Sequence, residues 1–223
     1  FIPKSVMAAM FPSFSKNVNN YATVNSMLNK SFRYILLLAF PIVAGTILLR
    51  NQIIVFIFGQ KFVESGDALG ILIVGVIFIF ASSVFSNVLS STDRQKKVTV
   101  ITGITVLLNA FSNIFLIYYY SYFGAAFATV ITQGINSLML YREIVKSRYK
   151  IYFGFLIKTS IASLAMALAI FLAEYFYPGL HLLITIFFGA LVYFAVLFLI
   201  KEINDEDKNL AYSFADGLFK RKI

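Results

Sequence analysis

Two asparagines, Asn109 and Asn113, stand four residues apart in the stretch LLNAFSNIFLIYYYSYFGAAFATVITQ, Leu107 to Gln133, which carries no charge. At that spacing both amides lie on one helix face, and each can donate and accept hydrogen bonds at once. Ser83, Ser86, Asn87 and Ser90 form a second such set, and Thr129, Gln133, Asn136 and Ser137 a third. Groups of this kind do neutral hydrogen bonding, either as glue between helices or toward a polar guest in a shared interior. Strips on three successive stretches argue for the shared interior. Asn87, Asn109, Asn113 and Gln133 are accordingly candidate lining residues. Two cations join them. Lys4 precedes the loop that begins near Ser13 by about nine residues, hence by roughly 13 Å at 1.5 Å per residue. An ammonium at such depth in a bilayer faces protein or water. Arg50 stands at one end of an apolar stretch, where its long stem could simply snorkel to an interface. Either cation suits a phosphate or pyrophosphate partner.

Other chemistries are closed by residue type. The chain has no cysteine, which removes disulfide and thiol chemistry, and His181 is its one histidine, which leaves no second imidazole for a histidine-based metal site. Membrane enzymes need converging acid-base or nucleophilic groups. No Asp or Glu lies within the apolar spans drawn below, and His181 falls at a span edge, where an interfacial role is the expectation. The sequence therefore predicts no catalytic residue, no metal and no cofactor.

The elements that carry these residues follow from solvent. Hydrophobic residues make up 60% of the 223, aromatic residues 17% and charged residues only 13%, a composition suited to lipid rather than water. Residues 1 to 14 read as the tail of one helix, and the start at Phe1 inside an apolar stretch reads as a fragment lacking an upstream part. Complete spans of about 20 residues follow at Ser31–Arg50, Ala68–Ser91, Val98–Tyr119, Phe123–Tyr141, Tyr152–Ala173 and Leu182–Ile200. These runs are continuous rather than alternating, so they predict an all-α, polytopic transmembrane helix bundle instead of a barrel. The stretch after Arg50 is too short to cross again and predicts a helix extension ending at Gly59. Pro41, with Gly45 one turn on, predicts a bend, although membrane helices also tolerate proline without one. The last span lacks a polar strip and predicts a peripheral, lipid-facing helix.

Cations alternate along the chain. Lys16, Lys30 and Arg33 share one connection, Arg94, Lys96 and Lys97 another, and Arg142, Lys146, Arg148 and Lys150 a third, while the end carries Lys201, Lys208, Lys220, Arg221 and Lys222. The intervening connections are almost free of cations, and one of them, YYYSYFG, is a tyrosine-rich turn. That alternation predicts a multi-pass protein of the cytoplasmic membrane with its basic connections inside. It also accounts for the net charge of +9, so nucleic-acid binding is not expected.

In order along the chain, AAMFPSFSK, LLAFPIVAGTILL, VFIFGQKFVESGDALGIL, SSTDRQKKVTVITGITVLLNAFSNIFLI and FGAAFAT resemble successive pieces of the polysaccharide and O-antigen flippases of the multidrug/oligosaccharidyl-lipid/polysaccharide exporter superfamily. The resemblance covers about Met7 to Lys150. It implies a lobe of a two-lobed transporter, with residues 1–150 as the C-terminal lobe, 151–200 as an additional C-terminal helix pair and 201–223 as a cytoplasmic tail, solvated by default. A missing N-terminal lobe, membrane lipids and a lipid-linked oligosaccharide are the partners it implies. The function implied is movement of that cargo across the cytoplasmic membrane by alternating access, with Lys4 at the anionic head group and Arg50 toward the exit side. A polytopic enzyme of polysaccharide synthesis, acyltransferase or polymerase, and a multidrug exporter of the same superfamily are the competing readings. The chain departs from the family pattern before Gly-Ala-Ala, where Tyr118 and Ser121 replace the usual proline and glycine.

Overall fold

A computed structural model describes residues 7, 11–177, 179 and 181–202. Lys4 and most of the tail lie outside the described residues. Residues 11–16 are helical and lead into α1, Tyr21–Phe58. A short 3₁₀ turn, Gln60–Phe62, precedes α2 (Ser65–Leu72) and α3 (Gly75–Ser91); α4 (Gln95–Lys146), α5 (Phe155–Phe176) and α6 (Leu182–Leu199) complete the order. Every regular element among the described residues is helical, as lipid requires of backbone that must satisfy its own polar groups. Five stretches are long and apolar enough to cross a membrane, α2 and α3 counting as one and α4 as another.

α1 is longer than the span drawn from hydropathy. It opens at Asn20, whose side chain accepts from the Thr23 N–H at 3.1 Å, and ends at Gly59, whose φ of 89° only glycine takes without strain. Its 38 residues reach about 57 Å, nearly twice the hydrocarbon thickness of about 30 Å. Lys30 and Arg33, expected in a loop, are therefore helical, and the connection is confined to residues 17–20. The polar first turns hold because Asn25 and Asn29 bind the backbone of a distant segment: Asn25 accepts from the Lys150 N–H, and Asn29 accepts from the Tyr152 N–H and donates to the Lys150 carbonyl, each at 2.8 Å. The Tyr21 ring stacks on Tyr149 beside them, and burial pushes the Tyr149 phenol above its ordinary pKa. α1 runs unbroken through Pro41.

The span expected at Ala68–Ser91 is two helices joined through Ile73 and Val74. Both residues keep helical dihedrals and tighter three-residue hydrogen bonds cross the join, so it is a 3₁₀ insertion in one span. Gly66 allows α2 to lie on α1, since a Cβ there would stand 2.1 Å from the Asn51 side-chain oxygen.

Two apolar clusters are built along α1, the first on its earlier turns and the second mainly on its later ones. Leu28, Phe32, Ile35 and Ala39 pack with Val84, Phe85 and Val88 of α3 and Leu140 and Ile144 of α4. Leu49, with Leu37 and Ala44 against it, packs with Ala162, Met166 and Ile170 of α5 and Tyr193 and Leu197 of α6. α6 is peripheral, as its composition predicts, with Phe187, Phe194 and Phe198 on its exposed face. Its buried face is anchored by the Tyr193 hydroxyl, which donates to the Leu37 carbonyl at 2.7 Å.

Two expectations need correction at the helix ends. The helices run past the spans drawn from hydropathy, so α5 includes Glu174 and α4 includes Glu143; both carboxylates are tolerated because they are partnered. Glu174 accepts from the Gln52 amide and lies 3.5 Å from the Thr185 hydroxyl, and Glu143 is held by Lys97 at 2.8 Å and Lys146 at 2.7 Å. The tail is not solvated at its beginning. After α6 the chain turns at Lys201, φ 51°, and seats Glu202, 7% exposed, against Arg33 at 3.0 Å and Lys158 at 3.2 Å.

Candidate functional site

Two of the three polar strips meet along the seam of a hairpin, through Asn109 and Asn113 on one arm and Thr129, Gln133 and Asn136 on the other. α4 is two helical arms joined at Ser121, where the chain reverses with φ 53° and ψ −137°. Each arm, about 25 residues or roughly 38 Å long, suffices to cross a bilayer. The arms are antiparallel: Asn109 meets Thr132, Thr105 meets Asn136 and Lys97 meets Glu143, pairs nearly equidistant from Ser121. Gly124 is what brings the arms together beside the turn. A Cβ there would lie 1.9 Å from the Leu116 carbonyl oxygen, so no side chain fits.

Along the seam the donors point one way. Asn113 donates to the Asn109 side-chain oxygen at 3.0 Å, Asn109 to the Thr132 hydroxyl at 2.9 Å, and Thr132 to the Ala128 carbonyl at 2.8 Å. Thr105 donates to the Thr102 carbonyl at 3.0 Å and approaches Asn136 Oδ1 at 3.4 Å. These groups open onto a pocket of about 210 Å³ lined by Thr102, Thr105, Val106, Asn109, Thr129, Thr132, Gln133 and Asn136. The lining is rich in neutral donors and acceptors with a single apolar member, a chemistry that recognises hydroxyl-bearing or amide-bearing groups. Asn113 Oδ1 is buried without a partner among the described residues.

The sequence candidates fall in different places. Asn109 and Gln133 share the pocket, and Asn113 is bonded to its edge. Asn87 is elsewhere: its amide donates to the Met7 carbonyl at 3.1 Å, tying α3 to the segment before α1. Arg50 is paired through Nε with Asp67 at 3.0 Å and donates to the Ile47 carbonyl at 3.2 Å. Lys4 lies outside the described residues. His181 is the N-cap of α6, its Nδ1 accepting from the Leu183 N–H at 3.4 Å.

Sequence reading passed over Thr102, Thr105 and Thr132. Thr102, Thr105 and Asn109 have the i, i+3, i+7 spacing of one helix face, a signal hidden by threonine's tolerance of apolar surroundings. It also passed over a second cavity, about 320 Å³, between α1, α5 and α6, where Pro41, Ile42, Gly45, Met166, Ala190 and Phe194 form an almost wholly apolar lining.

Comparison with known proteins gives consistent relatives. The family pattern described as lipid II flippase MurJ matches residues 2–199. A probable low-salt glycan biosynthesis flippase, Agl15, of Haloferax volcanii is 26% identical over 209 residues, 91% of this chain and 44% of that protein. A probable lipid II flippase MurJ of Buchnera aphidicola subsp. Acyrthosiphon pisum is 25% identical over 179 residues, 75% of this chain and 35% of that protein. Among solved structures, a lipid II flippase MurJ in an inward closed conformation superposes with a TM-score of 0.76 at 25% identity, covering 91% of this chain and 45% of that one. The chain thus spans under half the length of the relatives it matches.

Proposed function

Because the chain belongs to the lipid II flippase MurJ family, a family of multi-pass membrane transporters rather than enzymes, we propose that it is the C-terminal lobe of a flippase, residues 1–150, with an added helix pair at 151–200. The cargo is a lipid-linked oligosaccharide or polysaccharide precursor carrying phosphate or pyrophosphate, moved between leaflets by alternating access of this lobe against a second one. The relatives' descriptions, a lipid II flippase and a flippase of glycan biosynthesis, support a lipid-linked precursor as cargo.

The observation that carries the reading is the polar pocket of the α4 hairpin, lined by Asn109, Gln133, Asn136 and three threonines beside Thr129. Neutral amides and hydroxyls exchange hydrogen bonds with a sugar head group as water does, and so lower the cost of taking it through the bilayer. The apolar cavity between α1, α5 and α6 suits the hydrocarbon chain of the same molecule. Lys4 and Arg50 remain the proposed contacts of the phosphate, Arg50 as the weaker because Asp67 already engages it. Asn87 stays in the proposal as a border residue, supported by its buried side-chain oxygen, which lacks a partner among the described residues.

The test is export in cells carrying the complete gene. Single leucine replacements at Asn109, Asn113 and Gln133 reduce delivery of the surface saccharide while membrane levels of the protein hold. Lys4→Ala abolishes delivery and Lys4→Arg keeps part of it. Loss of folded protein in step with activity would reassign the amides to helix glue, and wild-type delivery by Lys4→Ala would remove that residue from the mechanism.

A further inference from the structure

The two arms of α4 enclose a crevice on the side opposite α3. A Cβ at Gly75 of α3 would touch the Val130 side chain at 3.6 Å, so Val130 faces α3, and Met139, nine residues or two and a half helical turns further on, faces the other way. Met139 forms one wall of the crevice with Glu143; Val100, Ile101 and Ile104 form the other, and Lys96 and Lys97 stand at its mouth, enclosing about 390 Å³. Val100 and Ile104 are largely exposed.

Charge at the mouth is one-sided. The Glu143 carboxylate is saturated by Lys97 and Lys146, two cations to one anion. Lys96 is exposed and has no ion-pair partner among the described residues. Excess positive charge at one end and an aliphatic wall running inward from it match a lipid whose head is anionic and whose chains are not. The apolar face continues past the crevice through Leu107, Leu108, Phe111 and Ile114, all exposed, at the i, i+3, i+4 spacing of one helix side.

We propose that this crevice is a binding site for an anionic phospholipid of the leaflet that bounds the basic end of the bundle, its phosphate at Lys96 and Lys97 and an acyl chain along Val100 and Ile104. The site is separate from the polar pocket and does not depend on the identity of the cargo. It lies on the hairpin whose other side carries the amides, so its occupant would brace the arms that hold the pocket.

The test is native mass spectrometry of the intact, full-length protein titrated with dioleoylphosphatidylglycerol or dioleoylphosphatidylcholine. Wild type retains the anionic lipid preferentially. Lys96→Gln weakens that retention by about fivefold, the equivalent of about 1 kcal/mol for one cation at an anionic surface. Ile104→Trp, which fills the apolar wall, weakens it without altering charge, and Lys61→Gln, far along the chain in the 3₁₀ turn, leaves it unchanged. Equal unfolding midpoints in phosphatidylcholine establish that the variants are folded. Equal retention of the two lipids by wild type, or undiminished retention by both Lys96→Gln and Ile104→Trp, would overturn the assignment. So would displacement of the bound phosphatidylglycerol by an equal concentration of a polyprenyl pyrophosphate, which would give the crevice to a lipid-linked cargo.

Discussion

Ser121 holds a backbone conformation, φ 53° and ψ −137°, that a Cβ opposes and glycine does not. Its strain is of the order of 1–3 kcal/mol, partly offset by the about 0.5–1 kcal/mol that glycine loses to unfolded-state entropy. Ser121→Gly should therefore stabilise the protein by about 0.5–2 kcal/mol, read as a higher unfolding midpoint in detergent; an unchanged or lower midpoint would show that the turn does not strain the serine. The same turn makes Gly124 irreplaceable, because the Leu116 carbonyl occupies the place of a Cβ. Across the seam, the Asn109 to Thr132 hydrogen bond should show a coupling of about 0.6 kcal/mol in a double-mutant cycle of Asn109→Leu and Thr132→Val, the usual size for such bonds in membranes. A coupling indistinguishable from zero would mean that the amide serves the pocket alone. The amides were legible as a face in sequence because spacing alone sets it; their partners were not, because a hydrogen bond across a hairpin depends on where the chain turns.

Among the elements, the ends carry the information that hydropathy omits. Glu202 joins the end of α6 to Arg33 of α1 and Lys158 of α5, so one residue pins the added helix pair to the rest at its basic end. Glu202→Leu removes the carboxylate from a guanidinium that is only 18% exposed while leaving its bond to the backbone carbonyl of residue 202, and the expected loss is about 1.5–3 kcal/mol, the range for hydrogen bonds to charged groups. Arg33→Leu combined with Glu202→Leu should cost less than the two single changes added together, since both single changes remove the same Arg33 to Glu202 ion pair. Strict additivity in chemical denaturation would show that the pair contributes nothing as a pair. The clasp was hidden in the sequence because the tail mixes signs, and a mixed-sign segment reads as solvated until its carboxylate is seen beside two cations. α1 was underestimated for a related reason. A hydropathy window stops where polar residues begin, whereas the helix continues until a cap, here Asn20, ends it.

At the scale of the whole molecule, the basic connections gather at one end. Asn25 and Asn29 hold the 148–152 segment against α1, and Lys97, Glu143 and Lys146 join the feet of the α4 arms. The opposite end carries the tyrosine turn, with Tyr118 82% exposed, and the Arg50 to Asp67 pair. By the bias of cations toward the cytoplasm, we propose that the basic end faces inward. The cysteine-free background makes this direct to check. A cysteine at Gln95 should resist a membrane-impermeant maleimide on intact cells and react after permeabilisation, while one at Ser121 should react from outside. Labelling of position 95 on intact cells would reverse the orientation.

Sequence by itself determined that the chain is a bundle of helices, nearly where each crosses and which faces carry amides, because lipid leaves the backbone few solutions and a helix maps spacing onto direction. The alternation of charge predicts a topology without reference to any contact. Only the tertiary structure decided which polar faces meet. Asn109 and Gln133 border one pocket and Asn87 instead ties α3 to Met7, although all three look alike in sequence. It likewise decided that Glu143, Glu174 and Glu202 lie beside partners from other helices. The reason is the same in each case: the cost of a polar group in an apolar medium is set by its neighbour, and neighbours from separate helices are chosen by packing, not by the order of residues along the chain.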